Sequence, residues 1–141
     1  MPKAGAASLS APSVRFARRV FRLAAIYGVL VLLPQYLLED RIGRDTPPPI
    51  THPEYFYGFI GIALAWQLVF FVIARDPVRY RPLMLPAVVE KGSFGFAAIA
   101  LFLSGRLSAQ MLGAGLIDLV LGTLFVVAYV RTAGATGALQ R

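Results

Sequence analysis

Apolar residues in this chain do not alternate with polar ones. They gather in four long runs separated by short charged or proline-rich connections. A helix that crosses a bilayer needs roughly 20 predominantly apolar residues. Four segments qualify, at about 20–38 (VFRLAAIYGVLVLLPQYLL), 55–74, 82–103 and 112–130. The second run carries no charge, the third contains Glu90 and Lys91, and the fourth contains Asp118. None shows the period-two alternation of a membrane strand. The pattern predicts an all-α fold, a four-transmembrane-helix bundle forming one membrane domain over 14–131. A disordered Ala/Ser/Pro-rich tail is expected over 1–13 and a flexible tail over 132–141.

The first run follows a basic flank of Arg15, Arg18, Arg19 and Arg22, as a signal peptide would. It is longer than a signal core and no small-x-small cleavage site follows, so it reads as a retained span. Pro34 removes one backbone donor near its far end and is expected to kink or loosen it. The connection 39–54 holds Pro47, Pro48, Pro49 and Pro53 and is predicted to be extended and stiff rather than helical. In DPVRYRP (76–82), Asp76 fits an N-cap and Pro77 a first helical position, which predicts a helical turn.

Composition sharpens the class. Of 141 residues, 57% are hydrophobic and 15% charged, with mean hydropathy +0.67, against about 25% charged in a soluble domain. The absence of cysteine excludes a disulfide framework, a cysteine zinc site and an Fe–S cluster within this chain, and a single histidine argues against a His-built metal centre.

The formal charge of +7 is explained by where the basic residues fall. Lys3, Arg15, Arg18, Arg19, Arg22, Arg75, Arg79, Arg81, Arg131 and Arg141 flank one side of the predicted spans. Only Arg41, Arg44 and Arg106 flank the other. The positive-inside rule then places both termini in the cytoplasm. Nucleic acid is not needed to account for the excess. Arg75, Arg79 and Arg81 read as a topology determinant and as contacts for anionic lipid headgroups. His52, in TPPPITHPEY, reads as polar surface. Asp40, Asp45, His52 and Glu54 match no metal-loop spacing.

The informative residues are the polar ones at membrane depth, where a charge costs at least about 2.5 kcal/mol. At 1.5 Å per residue, Glu90 lies about 12 Å and Asp118 about 18 Å from the basic side, with Tyr27, Trp66 and Gln67 at similar depth. Small residues recur at spacings of three and four beside the acids: Pro86, Glu90, Ser93, Ala97, Ala100 and Ser104 on the third run, and Ala114, Asp118 and Gly122 on the fourth. Gly61 and Ala65 do so on the second, Ala24 and Gly28 on the first. Such stripes mark helix contacts in lipid, so both acids are expected to face the bundle interior. Lys91 lies about 100° around the helix from Glu90 and can pair with Asp118. Two acids and one base leave one negative charge, which burial penalises unless a carboxyl keeps its proton or an arginine such as Arg22 reaches it. Glu90, Asp118, Lys91, Gln67 and Tyr27 are therefore a candidate ligand or proton site. The competing reading is a purely structural ionic cluster that fixes helix register.

No nucleophile constellation, phosphate loop or HExxH motif is present, so no catalytic residue, metal or cofactor is assigned. The segment ARDPVRYRPLM (74–84), Glu90 and the Gly/Ala-rich last run resemble the DoxX-like group of small bacterial four-helix membrane proteins. The resemblance implies a bacterial inner-membrane location. It also implies association with membrane redox enzymes, as a quinone-reducing subunit or an accessory partner. The expected function is a binding or accessory component whose bundle interior takes a small hydrophobic ligand such as a quinone. The alternatives are a proton-coupled small-molecule transporter acting as a homo-oligomer and a subunit of a membrane redox complex. The expected partners are the bilayer and another copy of the chain or a membrane-complex protein.

Overall fold

The computed structural model describes residues 12–46 and 48–137, and among them all regular structure is helical. The helices are α1 (Pro12–Leu32), α2 (Glu39–Asp45), α3 (Pro53–Arg75), α4 (Met84–Leu103) and α5 (Ala109–Gly137), with 3-10 turns at Leu33–Leu37 and Arg81–Leu83. Four stretches are long and apolar enough to cross a membrane: 12–37, 53–75, 81–103 and 109–134. This is the pattern of a multi-pass membrane protein.

The helices reach beyond the apolar runs. Proline suits the first helical turn and arginine is a good helix former. Accordingly α1, described from Pro12 on, carries Arg15, Arg18, Arg19 and Arg22 within it. At the other end of the chain α5 continues to Gly137, and Thr132 is fully buried, its hydroxyl donating to the carbonyl oxygens of Ala128 and Tyr129. The predicted tails shrink accordingly, and their remaining parts, 1–11 and 138–141, lie outside the described residues.

Pro34 acts as expected. The α-helix stops at Leu32 and tightens into a 3-10 turn with the proline in its first turn. Asp76 does too, its Oδ1 accepting the Arg79 backbone N–H at 3.0 Å. The connection 39–54 is corrected, because its first seven residues form α2. Glu39 and Asp40 open that helix and Arg44 closes it, matching the helix dipole, and Arg41 pairs with Asp45 one turn on. The proline block begins only after α2 has ended.

α1 lies between α3 and α5, and α5 in turn packs along α4; α3 and α4 barely touch, so the ring of helices is open along one seam. The buried face of α4 is Met84, Ala87, Lys91, Gly95 and Ala98. This corrects the predicted stripe: Pro86, Ser93, Ala97, Ala100 and Ser104 are exposed, and the true contact lies one position, about 100°, around the helix. Backbone clearance decides between the two adjacent stripes. A Cβ on Gly95 would come 2.4 Å from Leu119 Cγ, and one on Gly115 would come 2.4 Å from the Ala98 Cβ. Only glycine allows α4 and α5 to approach this closely. On α3 the buried face is Ile60, Ala63, Gln67, Phe70, Ile73 and Ala74, whereas Gly61 is half-buried and Ala65 exposed. On α1, Ala24 and Gly28 are buried as expected.

The bundle has two ends of different character. The end holding residues 12 and 137 and the 76–83 connection is basic, and the end holding α2 is acidic. Just inside the basic end, Phe21 of α1 stacks on Phe125 of α5 at 4.1 Å between centroids, and Phe70 of α3 sets its ring edge-on against both. Ile73, Met84, Ala87 and Ala128 fill in around them, all fully buried. The Arg81 guanidinium lies 3.7 Å over the Tyr129 ring and its Nε donates to the Tyr129 carbonyl oxygen, which ties the basic connection to α5.

Candidate functional site

Towards the acidic end the same four helices diverge around a cavity of about 590 Å³. Its walls are mostly apolar, with Val31, Leu32, Ile62, Ala63, Val89 and Ala114, and four aromatic side chains, Tyr27, Phe59, Trp66 and Phe94, face it. Along the open seam, Ile62, Phe59 and Val89 form lips that are each more than half exposed. Phe59 of α3 and Phe94 of α4 meet across the seam at 6.5 Å between ring centroids.

The polar residues singled out in the sequence come together here: Glu90, Lys91, Asp118, Gln67 and Tyr27 all line this cavity. Glu90 is six residues into α4 and Asp118 nine into α5, which puts both about 9–14 Å from a helix end, deep in the bundle.

Lys91 organises the charges. Its stem lies on the buried face of α4, and its Nζ donates to Asp118 Oδ1 at 3.1 Å and to Glu90 Oε1 at 3.4 Å. Neighbouring residues on a helix do not face one another. Glu90 and Lys91 meet because both side chains are long enough to bring their ends together beside Asp118 of α5. On its other side the ammonium stands 5.6 Å from the centroid of Phe70, over the top of the phenylalanine cluster. The lysine therefore sits at the boundary between the filled and the open parts of the bundle. Its side chain is only 9% exposed, those of Glu90 and Asp118 18% and 16%. Arg22 is exposed on α1, and among the described residues Lys91 is the cation within 4 Å of these carboxylates.

Gln67 completes the floor. It is 1% exposed, and its amide Nε2 donates to the Ala63 carbonyl oxygen at 2.8 Å, which fixes which end of the amide is the acceptor. That acceptor, Oε1, lies against Gly28, where any Cβ would collide with it. Gln67 Oε1 and Glu90 Oε2 are both buried without a hydrogen-bond donor among the described residues. Native interiors leave few such atoms unpaired.

Other predicted residues lie elsewhere. Arg75 and Arg79 are exposed at the basic end, whereas Arg81 is engaged with Tyr129. His52 is exposed beside Thr51, with its ring 5.6 Å from that of Tyr55. Glu39 accepts a 2.6 Å hydrogen bond from the Tyr57 hydroxyl, which anchors α2 to α3 above the cavity. The apolar walls, Phe59, Ile62, Val89 and Phe94 among them, were not identifiable in advance, because in sequence they look like any lipid-facing side chain.

The arrangement can hold the polar head of a small molecule against the charged floor and its apolar body between aromatic walls. Compared with protein families, curated proteins and solved structures, the chain finds no match.

Proposed function

We propose that this is an inner-membrane protein of a bacterium that binds a small amphipathic molecule inside its bundle, as a binding or accessory component rather than a free-standing enzyme. The observation that carries this reading is the cavity itself. Its volume of about 590 Å³ falls within the roughly 300–1,000 Å³ usual for ligand sites, and a mostly apolar lining with a few convergent polar groups is the usual composition of such sites. A buried ionic cluster serving only to fix helix register has no need of open space beside it. The seam between α3 and α4 faces where lipid tails would lie, so a ligand dissolved in the bilayer would reach the floor without crossing water. A quinone is one molecule of this shape, in keeping with the resemblance to the DoxX-like group. The count of basic residues supports an orientation with the basic end in the cytoplasm.

Trp66 is the single tryptophan of the chain and lines the cavity, so its fluorescence reports occupancy. In lipid nanodiscs, a short-tailed amphiphile is expected to change Trp66 emission saturably. Ala114→Phe, which fills the cavity from α5, is expected to abolish the change. A signal that rises linearly and equally in both proteins, as simple partitioning into lipid would give, would rule the reading out.

A further inference from the structure

From the charges and rings that line the cavity, we infer that its preferred occupant is a lipophilic organic cation, such as a quaternary ammonium or phosphonium ion or a protonated amine on an apolar body. This rests on the reading of the cavity as an amphiphile site and names the ligand class.

Three observations carry it. First, the cavity-lining residues hold two carboxylates, Glu90 and Asp118, and a single ammonium, Lys91. The formal sum is one negative charge, and Lys91 is already shared between both acids. A surplus charge in a water-poor site calls for a counter-charge, which a proton or a bound cation can supply. Second, the polar atoms left unpaired at the floor are both acceptors. Gln67, almost wholly buried, gives one of its two amide hydrogens to Ala63 while Oε1 stays unpaired, and Glu90 Oε2 is unpaired as well. An anion, or a ligand that only accepts hydrogen bonds, would compete with the two carboxylates for Lys91. Third, Tyr27, Phe59, Trp66 and Phe94 line the same cavity as the two acids. Aromatic faces attract cations, most strongly when water is excluded, and tryptophan does so best. A cation is thus favoured by the floor and the walls together, whereas a neutral quinone gains only from the walls.

Tetraphenylphosphonium and tetraphenylborate provide the test, because they match in size and apolar surface and differ in the sign of charge. Both are titrated against the protein in nanodiscs of zwitterionic phosphatidylcholine, with Trp66 emission as readout, Ala114→Phe nanodiscs as the partitioning blank, and decylubiquinone as the neutral comparison. Saturable phosphonium binding, at least about tenfold tighter than borate or quinone and weakened about tenfold or more in Glu90→Gln and Asp118→Asn, is expected. The wild-type comparison decides alone if either variant fails to fold. Preferential binding of the borate or the quinone would overturn the cation assignment and leave the amphiphile site standing. No saturable binding of any of the three would overturn both.

Discussion

The two halves of this bundle are built from the same four helices and are filled in opposite ways. Near the basic end three phenylalanines from three helices occupy the axis, packed among fully buried Ile73, Met84, Ala87 and Ala128. Near the acidic end the axis is empty and charged groups line it. In lipid, no hydrophobic effect drives helices together; close contact and hydrogen bonding must do it. The filled half therefore supplies cohesion across the bundle, and the Gly95–Gly115 approach of α4 and α5, on the acidic side of Lys91 and Asp118, holds the wall of the open half opposite the seam. The open half, where α3 and α4 separate, can be spared for a ligand. Lys91 lies where they meet, its ammonium 5.6 Å from the Phe70 ring centroid and in contact with both carboxylates.

That position makes Lys91 the most consequential residue for both halves. Lys91→Met preserves the apolar stem and removes the charge, leaving two carboxylates buried near one another with no cation. Breaking a buried ion pair from one side costs about 3–5 kcal/mol. A large drop in the denaturation midpoint of the protein in mild detergent is expected. A variant as stable as the wild type would mean that the cluster is well hydrated and that the boundary drawn here does not exist.

The division into halves was only partly legible in the sequence. The four runs, the break at Pro34, the turn at Asp76 and the burial of Ala24 and Gly28 follow from hydropathy, proline chemistry and side-chain size, which are local properties. That Glu90, Lys91, Asp118 and Gln67 would meet followed from the cost of leaving charge in lipid, which forces such groups towards one another whatever the details. The rotation of α4 did not follow. Ala97 and Ala100 on one face and Gly95 and Ala98 on the next are almost equally small, and only the fit of two backbones selects the second pair. The helical start of the 39–54 connection was hidden by weighting its prolines over the acidic and basic ends of α2. The cavity left no local trace, since an empty space is a property of how helices diverge and not of any residue beside it.

A matched pair on one helix measures the difference between the halves directly. Ile73 and Ile62 both belong to α3 and are three turns apart; Ile73 is fully buried near the phenylalanines and Ile62 is 67% exposed at the lip of the seam. The chemistry of Ile→Ala is the same at both sites, so only the surroundings differ. At Ile73 the neighbours come from other helices and relax only in part, so the lost methyls leave a void and Ile73→Ala is expected to cost about 2–4 kcal/mol. At Ile62 the removed atoms bordered space or lipid rather than protein. No void is created, and apolar surface in a bilayer has no water to escape. Ile62→Ala is therefore expected to shift stability by no more than about 0.5 kcal/mol, measured in the same detergent unfolding assay, while loosening the contact between Trp66 and an apolar ligand. If Ile62→Ala instead destabilised the protein as much as Ile73→Ala, the seam between α3 and α4 would be a closed helix contact, and access to the cavity from the bilayer would be lost with it.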